Sequence, residues 1–213
     1  MVEIGPGTGQ ATLPLAQRGF HVVAVELGRG LAAVAREHLV AYPNVEIVTA
    51  GFESWEPDRS DFDAVVAFTA FHWLDPEARY EKPARLLRAG GALAVVSTKH
   101  VANADPFWIE VQEDYEAVTP SDDNRPPPQA DAVPDRADEI AASGLFADVT
   151  VRRYLWDTSY DADQYVALLD TFSGHRALPA AQRGELYDRI RRRIGDRRVD
   201  KTMLAILHVA PRL

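Results

Sequence analysis

The sequence predicts an α/β protein: a parallel β-sheet with helices on both faces. Short apolar segments typical of buried strands alternate with helix-like segments through the first half of the chain, which is the pattern of consecutive βα units. The 213 residues suffice for one α/β domain and little more. A hydrophobic content of 46% with 26% charged residues is typical of a globular chain.

The first two strands flank a glycine-rich loop and a helix. Val2–Ile4 is a short apolar strand that ends at the loop of residues 5–9, and a helix is predicted over 10–17. Pro14 lies inside this helix, so we expect a distorted first turn or a helix that begins after Pro14. The apolar residues 21–25 then predict a strand buried on both faces.

The same alternation continues to the middle of the chain. Helical spacing predicts one buried helix face, formed by Leu31, Val34, Ala35, His38 and Leu39. Strands are predicted at 45–48, 63–68 and 92–97, the last of them after a turn at 89–91. Residues 76–88 are expected to be mostly helical, with a break near Pro83.

The second half of the chain follows a different pattern. One amphipathic helix is predicted over 107–118, and the proline-rich residues 119–134 predict an exposed loop. A short helix at 137–143, a strand at 149–156, helices at 161–172 and 180–194 and a strand at 201–209 follow. Two late strands so far apart predict an antiparallel edge with a helical insertion between them.

Composition excludes several kinds of site. A net charge of −9 disfavours binding to nucleic acid or to anionic membranes. The absence of cysteine excludes disulfides, Cys-ligated zinc, iron–sulfur clusters and a thiol nucleophile, and the six histidines show no spacing that predicts a metal site. Without a signal peptide or an apolar run of about 20 residues, we expect a soluble, cytoplasmic protein.

The loop after the first strand predicts an adenosine-containing ligand. Glycines at a strand-to-helix turn let the backbone approach a ligand closely, and Glu26 ends the next strand, where an acid can hold two ribose hydroxyls. A dinucleotide loop would need a third glycine at Gln10. An NAD-dependent oxidoreductase is therefore disfavoured, and the sequence contains no P-loop.

Several segments together resemble class I S-adenosylmethionine-dependent methyltransferases. Residues 3–9 are similar to motif I, Val25-Glu26 to the acidic ribose motif, and residues 51–55 to the segment that flanks adenine. Residues 62–73 resemble the fourth motif, with the His-Trp pair of the small-molecule, trans-aconitate type, and residues 86–93 resemble the motif before the fifth strand. Two departures are Gly51, where many relatives have an adenine-binding Asp, and Ala89, where Pro is frequent.

The resemblance implies a Rossmann-like, mostly parallel sheet of seven strands in the order 3-2-1-4-5-7-6, with strand seven antiparallel and a helical insertion between the last two strands. It also implies S-adenosyl-L-methionine as cofactor, with Glu3 facing the cofactor's ammonium group through water. The cofactor-binding residues implied in this way are Glu3, Gly5, Pro6, Gly7, Glu26, Leu27, Phe52, Glu53, Phe68 and Thr69. For Phe52 and Glu53, simple loop packing is an equal alternative.

His72 is the candidate catalytic residue. It follows the fourth strand, near the expected methyl group, and an imidazole can accept a proton near neutral pH. The alternative is a structural histidine packed beside Trp73. No metal is expected in this chemistry.

The predicted function is methyl transfer to a small molecule that the sequence does not identify. The alternative is a truncated methyltransferase-fold protein that binds the cofactor but is impaired or inactive. One domain is expected over 1–213, with a cofactor-binding half at 1–99 and a substrate or lid half at 100–213. The helices that usually precede motif I are missing, so we expect loose cofactor binding and a possible homo-oligomer through the uncovered N-terminal face.

Overall fold

The computed structural model describes residues 1–76, 78–122 and 124–213. Its strands are Val2–Ile4 (β1), Val22–Glu26 (β2), Val45–Thr49 (β3), Phe62–Phe68 (β4), Leu87–Val101 (β5), Thr150–Tyr160 (β6) and Val199–Pro211 (β7). Its helices are Thr12–Gln17 (α1), Arg29–His38 (α2), Glu81–Leu86 (α3), Phe107–Glu110 (α4), Gln112–Val118 (α5), Ala137–Ala142 (α6), Ala162–Leu169 (α7), Ser173–Arg176 (α8) and Ala180–Ile194 (α9), with short 3₁₀ helices at Phe71–Trp73 and Ala130–Ala132.

Within the described residues, these strands form one seven-stranded sheet in the order β3-β2-β1-β4-β5-β7-β6. Strands β1 to β5 pair in parallel, and β1 lies at the centre, with Val2 opposite both Val23 and Val65. The N–H of Arg212 donates to the carbonyl of Gly91, and His208 contacts the Val95 backbone, so β7 runs antiparallel to β5. The predicted fold class and strand order are confirmed.

The chain divides into two compact units. The first unit consists of Met1–Thr98, Asp135–Arg153 and Ala205–Leu213, and its core contains Val2, Val65 and Leu93. The second unit consists of Lys99–Pro134 and Tyr154–Leu204, and its core contains residues of α4, α5, α7 and α9. The boundary falls within β5, β6 and β7. The first unit therefore includes two later segments that a division at residue 99 would assign to the second half.

The first two helices confirm only part of what the sequence predicts: α1 does not begin after Pro14, and of the predicted buried face of α2 only Ala35 and Leu39 are fully buried. Helix α1 begins at Thr12 and contains Pro14 in its first turn, where the missing N–H of proline removes no helical hydrogen bond. The buried face of α2 consists of Ala32, Ala35 and Leu39, whereas Leu31 and His38 are exposed. The small alanines allow α2 to pack closely on β2 and β3.

Other boundaries differ where a helix meets a strand. The helix predicted over 76–88 is limited to α3, and β5 begins directly after it. The predicted turn at 89–91 is an irregularity within β5, because Phe62 pairs with Leu87 but Ala64 pairs with Ala92. The single helix predicted over 107–118 is divided at Val111 into α4 and α5.

Glu77, within the predicted helix 76–88, and Asp123, within the predicted loop 119–134, lie outside the described residues. Elsewhere that loop contains the short 3₁₀ helix Ala130–Ala132. The described part of the chain contains no helix that is both long and apolar enough to cross a membrane.

Candidate functional site

The first unit contains a cleft of about 440 Å³ beyond the carboxyl ends of β1, β2 and β4. This is the edge of a parallel sheet where ligands bind in open α/β folds. The predicted cofactor-binding residues that line the cleft are Gly5, Pro6, Gly7, Glu26, Leu27, Phe52, Glu53, Phe68 and Thr69. The fold thus brings together nine of the ten residues selected from the sequence, the exception being Glu3.

The glycines of the loop after β1 have different roles. Gly5, Gly7 and Gly9 all have left-handed backbones, with φ of 63°, 60° and 87°. A Cβ on Gly5 would lie 2.6 Å from the Cβ of Ala70, and a Cβ on Gly9 would lie 2.8 Å from Cδ1 of Leu39. A Cβ on Gly7 would meet no atom within 4 Å. Gly5 and Gly9 therefore permit close packing, while Gly7 borders the open cleft.

Replacing Gly5 or Gly7 with alanine should show this difference in stability. Both changes place a Cβ on a left-handed residue, which costs about 1–2 kcal/mol. Only in Gly5→Ala does the new Cβ also overlap a neighbour, so we expect this variant to lose roughly 1–3 kcal/mol more. Denaturant unfolding of the two variants measures the difference, and equal losses would contradict the packing role of Gly5.

Glu26 connects the loop to the end of β2. Its Oε2 accepts the N–H of Gly7 at 2.9 Å, and its Oε1 accepts the N–H of Gly28 at 2.7 Å. The side chain is buried, 7% exposed, yet it lines the cleft. Because a carboxylate offers about four acceptor positions, each oxygen retains capacity for one further donor. Glu26 can therefore organise the loop and hold a diol at the same time.

Glu3 lies behind the loop, in the central strand. It is 1% exposed, and its Oε2 has no hydrogen-bond partner among the described residues. Burial raises the pKa of Glu3 to about 7, although the nearby Thr12 hydroxyl acts in the opposite direction. Because this carboxyl group is buried inside the sheet, its ionisation lowers the stability of the folded protein. Its unpartnered oxygen is therefore suited to a cationic group or a bound water.

The segment after β3 is held by a residue that sequence reasoning missed. Lys82 of α3 is buried, 6% exposed. Its Nζ donates to the carbonyl of Glu53 at 3.1 Å and to the carbonyl of Trp55, and it lies 5.6 Å from the centre of the Phe52 ring. Lys82 thus positions the backbone that carries Phe52 and Glu53. No signal in the sequence indicates this role, because Lys82 stands in a short helix that also contains the charged Glu81 and Arg85.

The loop after β4 forms another wall of the cleft. Thr69 has a positive φ of 56°, which is unusual for a β-branched residue. Its N–H donates to the carbonyl of Val96 at 2.8 Å, and this bond holds the strained backbone in place. Strain of this kind concentrates at functional sites, and Thr69 lines the cleft together with Phe68 and Ala70.

His72 lies on the short helix Phe71–Trp73 and is exposed. Its ring is 4.8 Å from the ring of Trp73. Trp73 lines the cleft, although 81% of it is exposed, whereas His72 is not among the lining residues. Of the predicted His-Trp pair, the structure therefore places the tryptophan at the cleft and the histidine beside it.

Several other lining residues were not predicted as binding residues from the sequence. Most of them lie within the predicted motifs or directly beside them: Ile4, Thr8, Gln10, Val25, Leu31, Ala50, Gly51, Ala70, Trp73 and Leu74. The sequence predicts Leu31 on the buried face of α2. In the structure α2 is oriented so that Leu31 is exposed and lines the cleft. The described residues contain no cluster of three or more His, Asp or Glu side chains that could hold a metal.

Sequence comparison agrees with this geometry. A family described as a methyltransferase domain matches residues 2–95, which include the whole cleft. An uncharacterized methyltransferase of Mycobacterium tuberculosis is 35% identical over 96 residues, which are 45% of this chain and 38% of that protein. The chain thus matches less than half the length of this curated relative.

Solved methyltransferase structures share the fold along nearly the whole chain. A protein of Anaeromyxobacter dehalogenans described as a type II methyltransferase gives a TM-score of 0.66 at 21% identity, covering 99% of this chain and 88% of that chain. Geranyl diphosphate C-methyltransferase of Streptomyces coelicolor, solved with Mg²⁺, geranyl diphosphate and S-adenosyl-L-homocysteine, gives 0.53 at 14% identity, covering 100% and 72%. Residues 2–95 are thus similar in sequence to a methyltransferase domain, and the chain shares its fold with solved methyltransferases.

Proposed function

We propose that the chain binds S-adenosylmethionine in the cleft of the first unit and transfers its methyl group to a small molecule. The observation that carries this proposal is Glu26, a buried carboxylate that joins the glycine loop to the end of β2 and still faces the cleft. A carboxylate in this position suits the two hydroxyls of an adenosine ribose. The shared fold of the Streptomyces enzyme, solved with S-adenosyl-L-homocysteine, supports the same ligand class.

The residues present fit this cofactor at three points. The open space beside Gly7 leaves room for a ligand close to the backbone. The unpartnered oxygen of Glu3 suits the ammonium group of the methionine part, reached through a water. Phe52 and Leu27 supply apolar walls for the adenine ring. Gly51 provides no carboxylate for the adenine amino group. The Glu53 carboxylate lies close to Gly51, because a Cβ added at Gly51 would be 3.8 Å from Oε2 of Glu53.

When bound, the cofactor supplies a methyl group on a positively charged sulfur, which makes the methyl carbon electrophilic. The main tasks of the protein are then to align an acceptor with this carbon and to exclude water. Proton removal is required only for acceptors that bear a proton on the attacking atom. We assign this proton transfer to His72, which lies on the short helix after β4, beside the cleft-lining Trp73.

His72→Ala should lower turnover by roughly 10² while leaving the affinity for S-adenosylhomocysteine nearly unchanged. Turnover is measured with an acceptor found by screening small molecules against radiolabelled cofactor. His21→Ala, a change at another exposed histidine, is the matched control and should retain full turnover. If His72→Ala also retains full turnover, His72 is a packing partner of Trp73 and has no catalytic role.

Calorimetric titration with S-adenosylhomocysteine and with NAD⁺ tests the proposed function directly. We expect saturable binding of S-adenosylhomocysteine and none of NAD⁺, because the loop has Gln10 where a dinucleotide site needs glycine. Binding of NAD⁺ alone would overturn the proposal. Binding of S-adenosylhomocysteine without methylation of any acceptor in the screen would favour a cofactor-binding protein that has lost turnover.

A further inference from the structure

The second compact unit has a cleft of its own, which the proposed function does not use. Its volume is about 480 Å³, within the range of sites for small organic molecules. The lining consists mainly of aromatic and proline side chains, among them Trp108, Tyr115, Tyr165 and the run Pro126–Pro128. All of the lining residues belong to this unit.

The aromatic walls of this second cleft are rigidly held. Trp108 packs edge-to-face against Tyr165, with ring centres 5.6 Å apart, and its indole N–H donates to the carbonyl of Asp200 at 2.7 Å. On another side, the Tyr115 hydroxyl is 2.9 Å from Nε2 of His175. Rings fixed in this way lose little entropy when a flat molecule packs against them. The walls therefore favour a planar, apolar ligand.

One polar atom in the wall lacks a partner. Nε2 of His100 is buried, and within the described residues it makes no hydrogen bond. The His100 ring packs edge-to-face on Trp108, with centres 4.2 Å apart. Burial, together with the nearby Lys201, lowers the pKa of His100 to about 4, so the ring is neutral at physiological pH. An unpartnered buried nitrogen beside a cleft points to a ligand with a polar group.

The charges around the second cleft favour an anion. Its lining includes the Arg125 side chain and, among the described residues, no carboxylate. Lys201 lies behind the wall, 7% exposed, with its Nζ 6.0 Å from the Trp108 ring and 5.5 Å from the Phe172 ring. Of the acids outside the lining, Glu116 accepts from Asn124 Nδ2 at 3.2 Å.

From the aromatic walls, the unpartnered His100 nitrogen and these two cations, we propose that the second cleft binds a small planar aromatic carboxylate. The flat ring system packs between Trp108 and Tyr115, and the carboxylate is directed toward Arg125. This site is independent of the proposed function, because its recognition chemistry involves no residue of the cleft in the first unit.

Calorimetry with 2-naphthoate and its neutral isostere 2-naphthamide, both without S-adenosylhomocysteine, tests this proposal. We expect saturable binding of the acid and at least about tenfold weaker binding of the amide, since charge-assisted hydrogen bonds are about twice as strong as neutral ones. Arg125→Gln should weaken naphthoate binding roughly fivefold and leave naphthamide binding unchanged. Lys201→Met should act in the same direction.

Arg192→Gln is the matched control, because both arginines are exposed and both donate Nε to the backbone carbonyl of an aspartate, Asp122 or Asp188. It should change naphthoate binding less than twofold. Equal affinity for acid and amide, equal effects of Arg125→Gln and Arg192→Gln, or no saturation at millimolar naphthoate would each overturn the proposal. Because no cofactor is present, none of these outcomes depends on the site in the first unit.

Discussion

Glu26→Ala should lower the affinity for S-adenosylhomocysteine by more than a hundredfold, about 3 kcal/mol. The change removes the acceptor for the ribose hydroxyls and leaves the N–H groups of Gly7 and Gly28 without their carboxylate. The glycine loop then loses its link to the end of β2. Calorimetric titration measures the affinity, and circular dichroism verifies that the variant is folded.

Two further variants make the Glu26 test specific. Glu26→Gln retains the size of the side chain but not its charge. We therefore expect its affinity for S-adenosylhomocysteine to lie between that of the wild type and that of Glu26→Ala. Glu37→Ala, at an exposed position of α2, controls for the removal of one negative charge and should bind normally. An affinity of folded Glu26→Ala within threefold of the wild type would falsify the assignment of the ribose site.

Glu3→Gln should stabilise the protein above pH 7 by about 3 kcal/mol. In the folded chain, burial raises the pKa of Glu3 from 4.5 to about 7. Below pH 4.5 the carboxyl group is protonated in both the folded and the unfolded chain, so it does not affect the pH dependence there. Between pH 4.5 and 7 the unfolded chain binds fewer protons than the folded chain, so the free energy of unfolding falls as pH rises.

Glutamine at position 3 has nearly the same shape and no charge, so this decline should be absent from the variant. Denaturant unfolding of the wild type and of Glu3→Gln at pH 5, 6, 7 and 8 measures the difference. Glu46→Gln, at an exposed position on β3, two strands away in the same sheet, is the matched control and should leave the decline unchanged. Parallel stability curves for wild type and Glu3→Gln would show that Glu3 is not a buried, nearly neutral acid.

Most of the first unit could be predicted from the sequence because its signals are local. The apolar runs around Val23 and Val65 mark strands that the sheet buries on both faces, and the glycine loop marks the turn after β1. The ends of helices and strands were less predictable, since they depend on the segments that pair or pack with them. Pro14 suggested a distorted first turn or a helix that begins after it, yet α1 begins at Thr12 with Pro14 in its first turn. Residues 89–91 suggested a turn, yet they form an irregularity within β5 opposite β4.

The candidate site likewise contains residues that the sequence predicted and residues that it did not. Glu26 was predictable, because an acid at the end of the second strand of a βαβ unit occupies a fixed place relative to the loop. Lys82 was not predictable, since it is distant in sequence from the carbonyls of Glu53 and Trp55 that it holds. His100, Trp108 and His175 could be suggested as lining of a pocket, but the sequence did not select them, because they come from separate segments with no shared pattern.

What the sequence by itself determined is the fold class, the strand order implied by its motifs, and most of the residues around the first cleft. The fold class follows from periodicity, which acts through the local backbone, whereas the strand order and the cleft residues follow from the resemblance of these motifs to a known family. Only the tertiary structure decided that Gly5 and Gly9 pack while Gly7 faces open space, that Trp73 rather than His72 borders the cleft, and that Oε2 of the buried Glu3 has no partner among the described residues. Each of these depends on distances between side chains far apart in the chain, which a one-dimensional pattern does not specify.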